Sequence, residues 1–234
     1  MGLLAASSAS LAGPVTAALT EGKEGVKKLL RGFTRWRCSP LWYAVAIVIP
    51  PAIVLIAAGL STIFGNPFPL PGPQRWAMLV PMFFILTVQA GLGEEIGWRG
   101  YATPKLSERY SVLVSSLIVG VVWACWHLPL YLFPGFVQHE IAQNLGFVST
   151  FLMYSVFVVA AAVIYAWIYF VSGGNLWLPI LLHGSTNAFG WFFNYQDIEA
   201  YGGITIMVCF TGLWIAAAVI VTVIPGIRVE TKKE

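Results

Sequence analysis

The sequence predicts an all-α fold, a polytopic membrane helix bundle with about six transmembrane helices after residue 40. Three observations carry this. The chain has 234 residues, 58% hydrophobic and only 10% charged, where an average soluble domain carries about 25% charged residues. Its mean hydropathy is +0.78. Apolar runs recur near 41–60, 76–97, 112–133, 147–171, 176–195 and 203–225. A run of ~20 residues at a rise of ~1.5 Å spans a hydrocarbon core of ~30 Å. No soluble core hides so much apolar surface. Aromatics at 15%, including ten Trp, suit interfacial belts and a packed bundle.

The elements follow in order. Residues 1–20 are weakly apolar, rich in Ala, Ser and Gly, and uncharged before Glu21. They lack the basic leader of a signal peptide and read as a short membrane or interfacial helix. Residues 21–37 carry Lys23, Lys27, Lys28, Arg31, Arg35 and Arg37 beside a stripe of Val26, Leu29, Leu30, Phe33 and Trp36. That pattern reads as an amphipathic helix on an anionic membrane face. Six spans after residue 40 alternate from a cytoplasmic 21–40 segment. Twelve of the 13 Lys/Arg then fall inside, and only Arg75 lies outside, as the positive-inside rule expects. The net charge of +3 thus reflects topology and not nucleic-acid binding. The implied layout is an N-terminal segment 1–40, a single membrane domain 41–225, and a cytoplasmic tail 226–234. The expected partners at this point are membrane lipids, in a multi-pass protein of the cell membrane. Cys38, Cys125 and Cys209 are an odd set without metal-type spacing and read as core residues.

Three polar pairs interrupt these apolar runs. The first is Glu94-Glu95-x-x-x-Arg99. Such groups cost roughly 2.5–3.5 kcal/mol each at membrane depth on insertion scales. Glu95 and Arg99 are i,i+4 in the order that favours an ion pair. Glu94 is rotated about 100° away and is left as a candidate base. An interfacial charge cluster is the plainer alternative. The second pair is Trp123-x-x-x-His127, in which Trp123 can pack on the imidazole one turn later. The third is His183-x-x-x-Asn187, with small Gly184 and Ser185 between them. A His and an Asn on one helix face can donate two hydrogen bonds to an oxyanion, or serve simply as helix–helix glue.

Depth allows the three to meet. Ser107-Glu108-Arg109-Tyr110-Ser111 is the most polar point between Glu94 and His127 and predicts a hairpin turn. Folding there brings both residues to one height, ~16 residues or ~25 Å from the turn. His183 enters from the loop at 172–175 to a depth of ~12 Å. His139-Glu140-x-x-Gln143 nearly matches a zinc-peptidase helix, but its second ligand is Gln. Met1-Gly2 lacks the Ser or Thr of a myristoylation signal.

The ordered set Glu94-Glu95-x-x-x-Arg99, His127 after an aromatic residue, and His183-x-x-x-Asn187 resembles the CPBP family. These are the Abi, or type II CAAX prenyl endopeptidase and bacteriocin-processing, intramembrane proteases. The resemblance covers about Trp76 to Phe193. The family commonly has Phe where this chain has Trp123. The resemblance implies that Glu94 activates water, with His127 assisting or orienting it. It makes His183 and Asn187 oxyanion stabilisers, and Glu95 and Arg99 supporting residues. It implies cleavage of a peptide or protein substrate, lipid-modified in CAAX-type processing, near the cytoplasmic side of the membrane. It also leaves room for Zn2+ on Glu94, His127 and His183, although the same Glu can act as base without a metal. Two non-proteolytic readings compete: an ion- or proton-coupled transporter using the same buried groups, and a non-catalytic immunity or scaffold protein.

Overall fold

The computed structural model describes residues 2–66, 71–193 and 203–224. Within them all the regular secondary structure is helical. Helix α1 spans Gly2–Thr34, α2 Pro40–Ile63, α3 Pro73–Ser107 and α4 Val112–Trp126. A 3-10 turn at Leu128–Tyr131 follows α4. Then come α5 at Val137–Leu145, α6 at Phe147–Val171, α7 at Trp177–Phe192 and α8 at Ile204–Val223.

Five helices are long and apolar enough to cross a membrane: α2, α3, α4 (with its 3-10 turn), α6 and α8. The remaining run, expected over 176–195, forms the 16-residue α7. Its length of ~24 Å falls short of the ~30 Å core. The run expected at 76–97 extends instead from Pro73 to Ser107. The segment 134–146, expected as a loop, contains α5. The expected tail 226–234 lies outside the described residues. All three cysteines are free.

Helix α6 is the central element. Ala160, Ala161, Ala162, Val163, Ile164, Tyr165 and Ile168 are all buried, packed between α4, α7 and α8. Small residues let the neighbours close in. A Cβ on Gly120 of α4 would stand only 2.9 Å from the Val159 backbone. On the outer faces Leu55, Val121, Leu152 and Val219 are exposed. Helices apolar on every side, buried on one and open on the other, suit a bundle whose solvent is lipid.

Helix α3 is not uniform. π-helical turns at Thr87–Leu92 and Trp98–Ala102 bracket a short α-helical stretch, Gly93–Gly97, that carries Glu94 and Glu95. Each π turn adds a residue to the local repeat and re-aims the side chains after it. The same stretch is rich in glycine because helices approach it closely. A Cβ on Gly91 would lie 2.5 Å from the Ile180 carbonyl oxygen of α7, and one on Gly184 of α7 would overlap Thr87. A Cβ on Gly97 would overlap the backbone of Ala9 in α1.

Helix α1 joins the two expected N-terminal segments across a kink at Gly22 (φ 65°, ψ −152°), a conformation that glycine adopts without a Cβ clash. Its first half lies on α3, with Ser10 Oγ donating to the Leu92 carbonyl at 2.6 Å. Its basic half reaches two turns at one end of the bundle. Lys28 pairs with Glu108 at 2.8 Å and Glu21 with Lys105 at 3.1 Å. Arg35 Nη1 donates to the Gly173 carbonyl at 2.8 Å, and Leu176 N to the Gly32 carbonyl at 3.0 Å. Among the described residues, the basic half of α1 and the turns near 108–111 and 172–176, which the charge pattern assigned to one side of the membrane, thus meet at one end.

Candidate active site

Helices α3, α4, α6 and α7 each bring polar side chains to one buried cluster. Glu94 is 5% exposed, His127 5% and His183 4%, while Glu95 and Arg99 are fully buried. None of the five faces outward.

Glu95 is the link between two elements. Its Oε1 accepts from Arg99 Nη1 at 2.9 Å within α3 and from His183 Nδ1 at 2.8 Å on α7. The close approaches at Gly91 and Gly184 make this second bond reachable. Arg99 lies between two rings, with its guanidinium carbon 4.5 Å from the centre of Trp123 and 4.8 Å from that of Tyr165. A desolvated guanidinium over two π faces gains cation–π stabilisation that partly replaces lost water. Glu95 Oε2 and Arg99 Nε and Nη2 have no hydrogen-bond partner among the described residues. The pair is therefore held through one oxygen, and burial alone does not make it a source of stability.

Glu94 points to a different partner. Its Oε2 accepts from the Trp123 indole Nε1–H of α4 at 2.6 Å. Its Oε1 makes no hydrogen bond within the described residues. Trp123 also offers its backbone carbonyl to His127 Nδ1 at 2.7 Å. A carbonyl only accepts, so Nδ1 carries the proton and the Nε2 lone pair of neutral His127 stays free. The His127 ring is held edge-on by Trp126 at 4.9 Å and by Tyr154 of α6 at 5.1 Å between centroids. By the same reasoning, the Glu95 carboxylate fixes the proton of His183 on Nδ1. Nε2 of His183 can then donate only from a doubly protonated ring, with Glu95 as its counter-charge.

Asn187 shares the α7 face of His183 one turn on. It is half-buried, and its amide makes no hydrogen bond among the described residues. The expected cluster therefore gathers Glu94, Glu95, Arg99, His127 and His183 through direct contacts or through Trp123. Asn187 is adjacent in the helix and is not bonded into the cluster.

Tyr154 and Tyr165 were not singled out by the sequence, and Trp123 has a further role. The Trp123 indole bonds Glu94, where only stacking on His127 was expected. Tyr154 and Tyr165 lie eleven residues apart on one face of α6 and carry polar rings in an apolar helix, a spacing that could have marked them. Tyr165 OH donates to Thr186 Oγ1 at 2.9 Å, and its ring lies 5.6 Å from His183. His139 and Glu140 sit apart on α5, bonded to the Tyr131 carbonyl at 3.0 Å and the Gly135 amide at 3.3 Å.

The donor chemistry of a zinc site is partly present, since both imidazoles are anchored through Nδ1 as metal ligands commonly are. The arrangement does not complete it. Among the described residues no three His, Cys, Asp or Glu side chains are grouped so that they could hold one metal ion. Glu94, His127 and His183 do not fit a shared ion in this conformation.

Residues 75–189 match the family described as Type II CAAX prenyl endopeptidase Rce1-like, an interval that contains all six residues of the motif set. The chain is also 31% identical over 144 residues to a protein of Methanococcus maripaludis named CAAX prenyl protease 2. That match covers 59% of this chain and 52% of the archaeal protein, so the chain spans about half the length of the curated relative. On this match and on the motifs that fall within it, the chain belongs to the Rce1-like type II CAAX prenyl endopeptidase family, a family of proteases.

Proposed function

We propose that this protein is an intramembrane endopeptidase that hydrolyses a peptide bond close to the cytoplasmic side of the membrane. Glu94 Oε1 takes a proton from a water that also donates to His127 Nε2. The oxygen attacks the scissile carbonyl carbon. The developing oxyanion accepts hydrogen bonds from His183 Nε2–H and the Asn187 amide. Collapse of the tetrahedral species breaks the C–N bond, and the proton held by Glu94 passes to the leaving amine. Glu95, itself held by Arg99, keeps His183 in place and supplies its counter-charge. Catalysis in this scheme needs no metal ion.

The observation that carries the reading is the buried Glu94 with one oxygen held by Trp123 and the other unbonded, in a helix cluster that also presents two oriented imidazoles. The names of the family and of the archaeal relative point to a peptide carrying a prenyl group near its C-terminus as substrate. A membrane-embedded site suits a ligand whose lipid tail is already in the bilayer.

The test is cleavage of a panel of prenylated and unprenylated membrane-tethered peptides by the purified protein in lipid, with products mapped by mass spectrometry. The wild type is expected to cut a prenylated member at one bond. Cleavage that survives combined Glu94→Ala and His127→Ala substitution refutes the assigned roles.

A further inference from the structure

Trp123 touches Glu94, Arg99, His127 and His183. Its indole N–H donates to Glu94 Oε2 at 2.6 Å. Its carbonyl accepts from His127 Nδ1 at 2.7 Å. Its ring lies 4.5 Å from the Arg99 guanidinium carbon and meets His183 edge-on at 5.4 Å. It is 3% exposed, so the whole two-ring side chain is committed to the cluster. Any aromatic residue could fill that space and stack on Arg99. Only Trp carries an N–H that is a donor and nothing else.

A carboxylate rotates easily about its last torsion, which has broad, two-fold minima. Its two oxygens are therefore equivalent unless something distinguishes them. We propose that Trp123 is a positioning residue that makes this distinction: its N–H holds Oε2 of Glu94, so that Oε1 alone serves as the base. This rests on the hydrolytic reading of Glu94. A hydrogen bond at this distance to an ionised oxygen is of the strong, charge-assisted kind. It spans α3 and α4, so it also sets the distance between the base and His127, one turn below Trp123 on the same helix. The stacking on Arg99 and His183 is a packing role that a hydrocarbon ring could supply. The N–H is the part that acts on the reaction.

The bond can be removed without changing shape by placing 3-benzothienylalanine at position 123, which puts sulfur where the N–H stands. Trp123→Phe is the genetically simpler companion. With a peptide that the wild type cleaves, the sulfur isostere is expected to lower kcat by about tenfold, the scale of one hydrogen bond to a charged group. KM should stay within about twofold. In protein labelled with 15N at the indoles, the Nε1–H resonance that disappears in Trp123→Phe is expected to move clearly in Glu94→Ala. A kcat within about twofold of wild type for the isostere overturns the proposal, as does an indole resonance indifferent to Glu94→Ala. A wild type that cleaves no peptide instead defeats the hydrolytic reading, and the resonance still decides whether the positioning bond exists.

Discussion

Glu94 and Glu95 are chemically identical neighbours with different surroundings, and that difference organises the site. Glu95 is committed on Oε1 to Arg99 and His183. Removing one member leaves a buried charge without its partner, which costs ~3–5 kcal/mol. Arg99→Met and Glu95→Gln are therefore expected to lower thermal stability sharply in detergent. Glu94→Gln keeps an acceptor for the Trp123 indole and should change stability far less. Equal stability losses at the two glutamates would contradict the division of labour. The intrahelical half of this arrangement was legible, because Glu95 and Arg99 are spaced i,i+4. The bonds from Trp123 and His183 were not, because spacing along one helix says nothing of which partner helix faces it.

At the scale of elements, close helix approaches and released carbonyls explain where the side chains come to lie. Pro51 in α2 has no N–H to bond the carbonyl of Ile47, four residues earlier. Ser185 of α7 donates to that carbonyl at 2.8 Å, which ties α2 to the helix that carries His183. Gly97 takes α1 at backbone contact, so Gly97→Ala overpacks the junction and is expected to cost ~1–3 kcal/mol. Gly59 in α2 has nothing near its added Cβ. Gly59→Ala should instead stabilise by ~0.5–1 kcal/mol through helix propensity. Thermal unfolding of the two variants checks both signs. Hydrogen bonds from Lys105 and Lys28 hold the Glu108 carboxyl below its usual range. A depressed folded value means that the contribution is present above the ordinary carboxylate range and is lost as pH falls through the folded value. Protection against hydrogen exchange in 21–34, relative to the intrinsic rate at each pH, is expected to fall at acid pH in the wild type, and Glu108→Gln should show the lower protection already at neutral pH. The hydropathy pattern located most helices to within a few residues. It missed the π turns of α3 because one inserted residue barely alters an apolar run, and it overestimated α7 because apolar character continues past Phe192.

For the whole molecule, the fold gathers basic segments at one end, and the charge asymmetry predicts which side that end faces. The basic half of α1, the turn at 108–111 and the turn at 172–176 meet at one end. The positive-inside pattern predicts that this end is the cytoplasmic one. In a background without native cysteines, Tyr110→Cys should react with a membrane-impermeant maleimide only from the cytoplasmic side, and Asn144→Cys only from the other. Labelling of both from one side would overturn the topology. The all-helical membrane architecture was readable from composition together with the ~20-residue length of the apolar runs, which suits helices crossing a bilayer. The shared centre could be anticipated only as matched depths, because convergence depends on the glycine contacts between α3 and α7. The most direct measurement is the single-turnover rate for a prenylated, membrane-tethered peptide in proteoliposomes containing wild type or Glu94→Gln. The wild type should cleave, and the variant should retain the bound peptide while losing about 10²–10⁴-fold in rate. Cleavage by Glu94→Gln at the wild-type rate would show that the water is activated elsewhere.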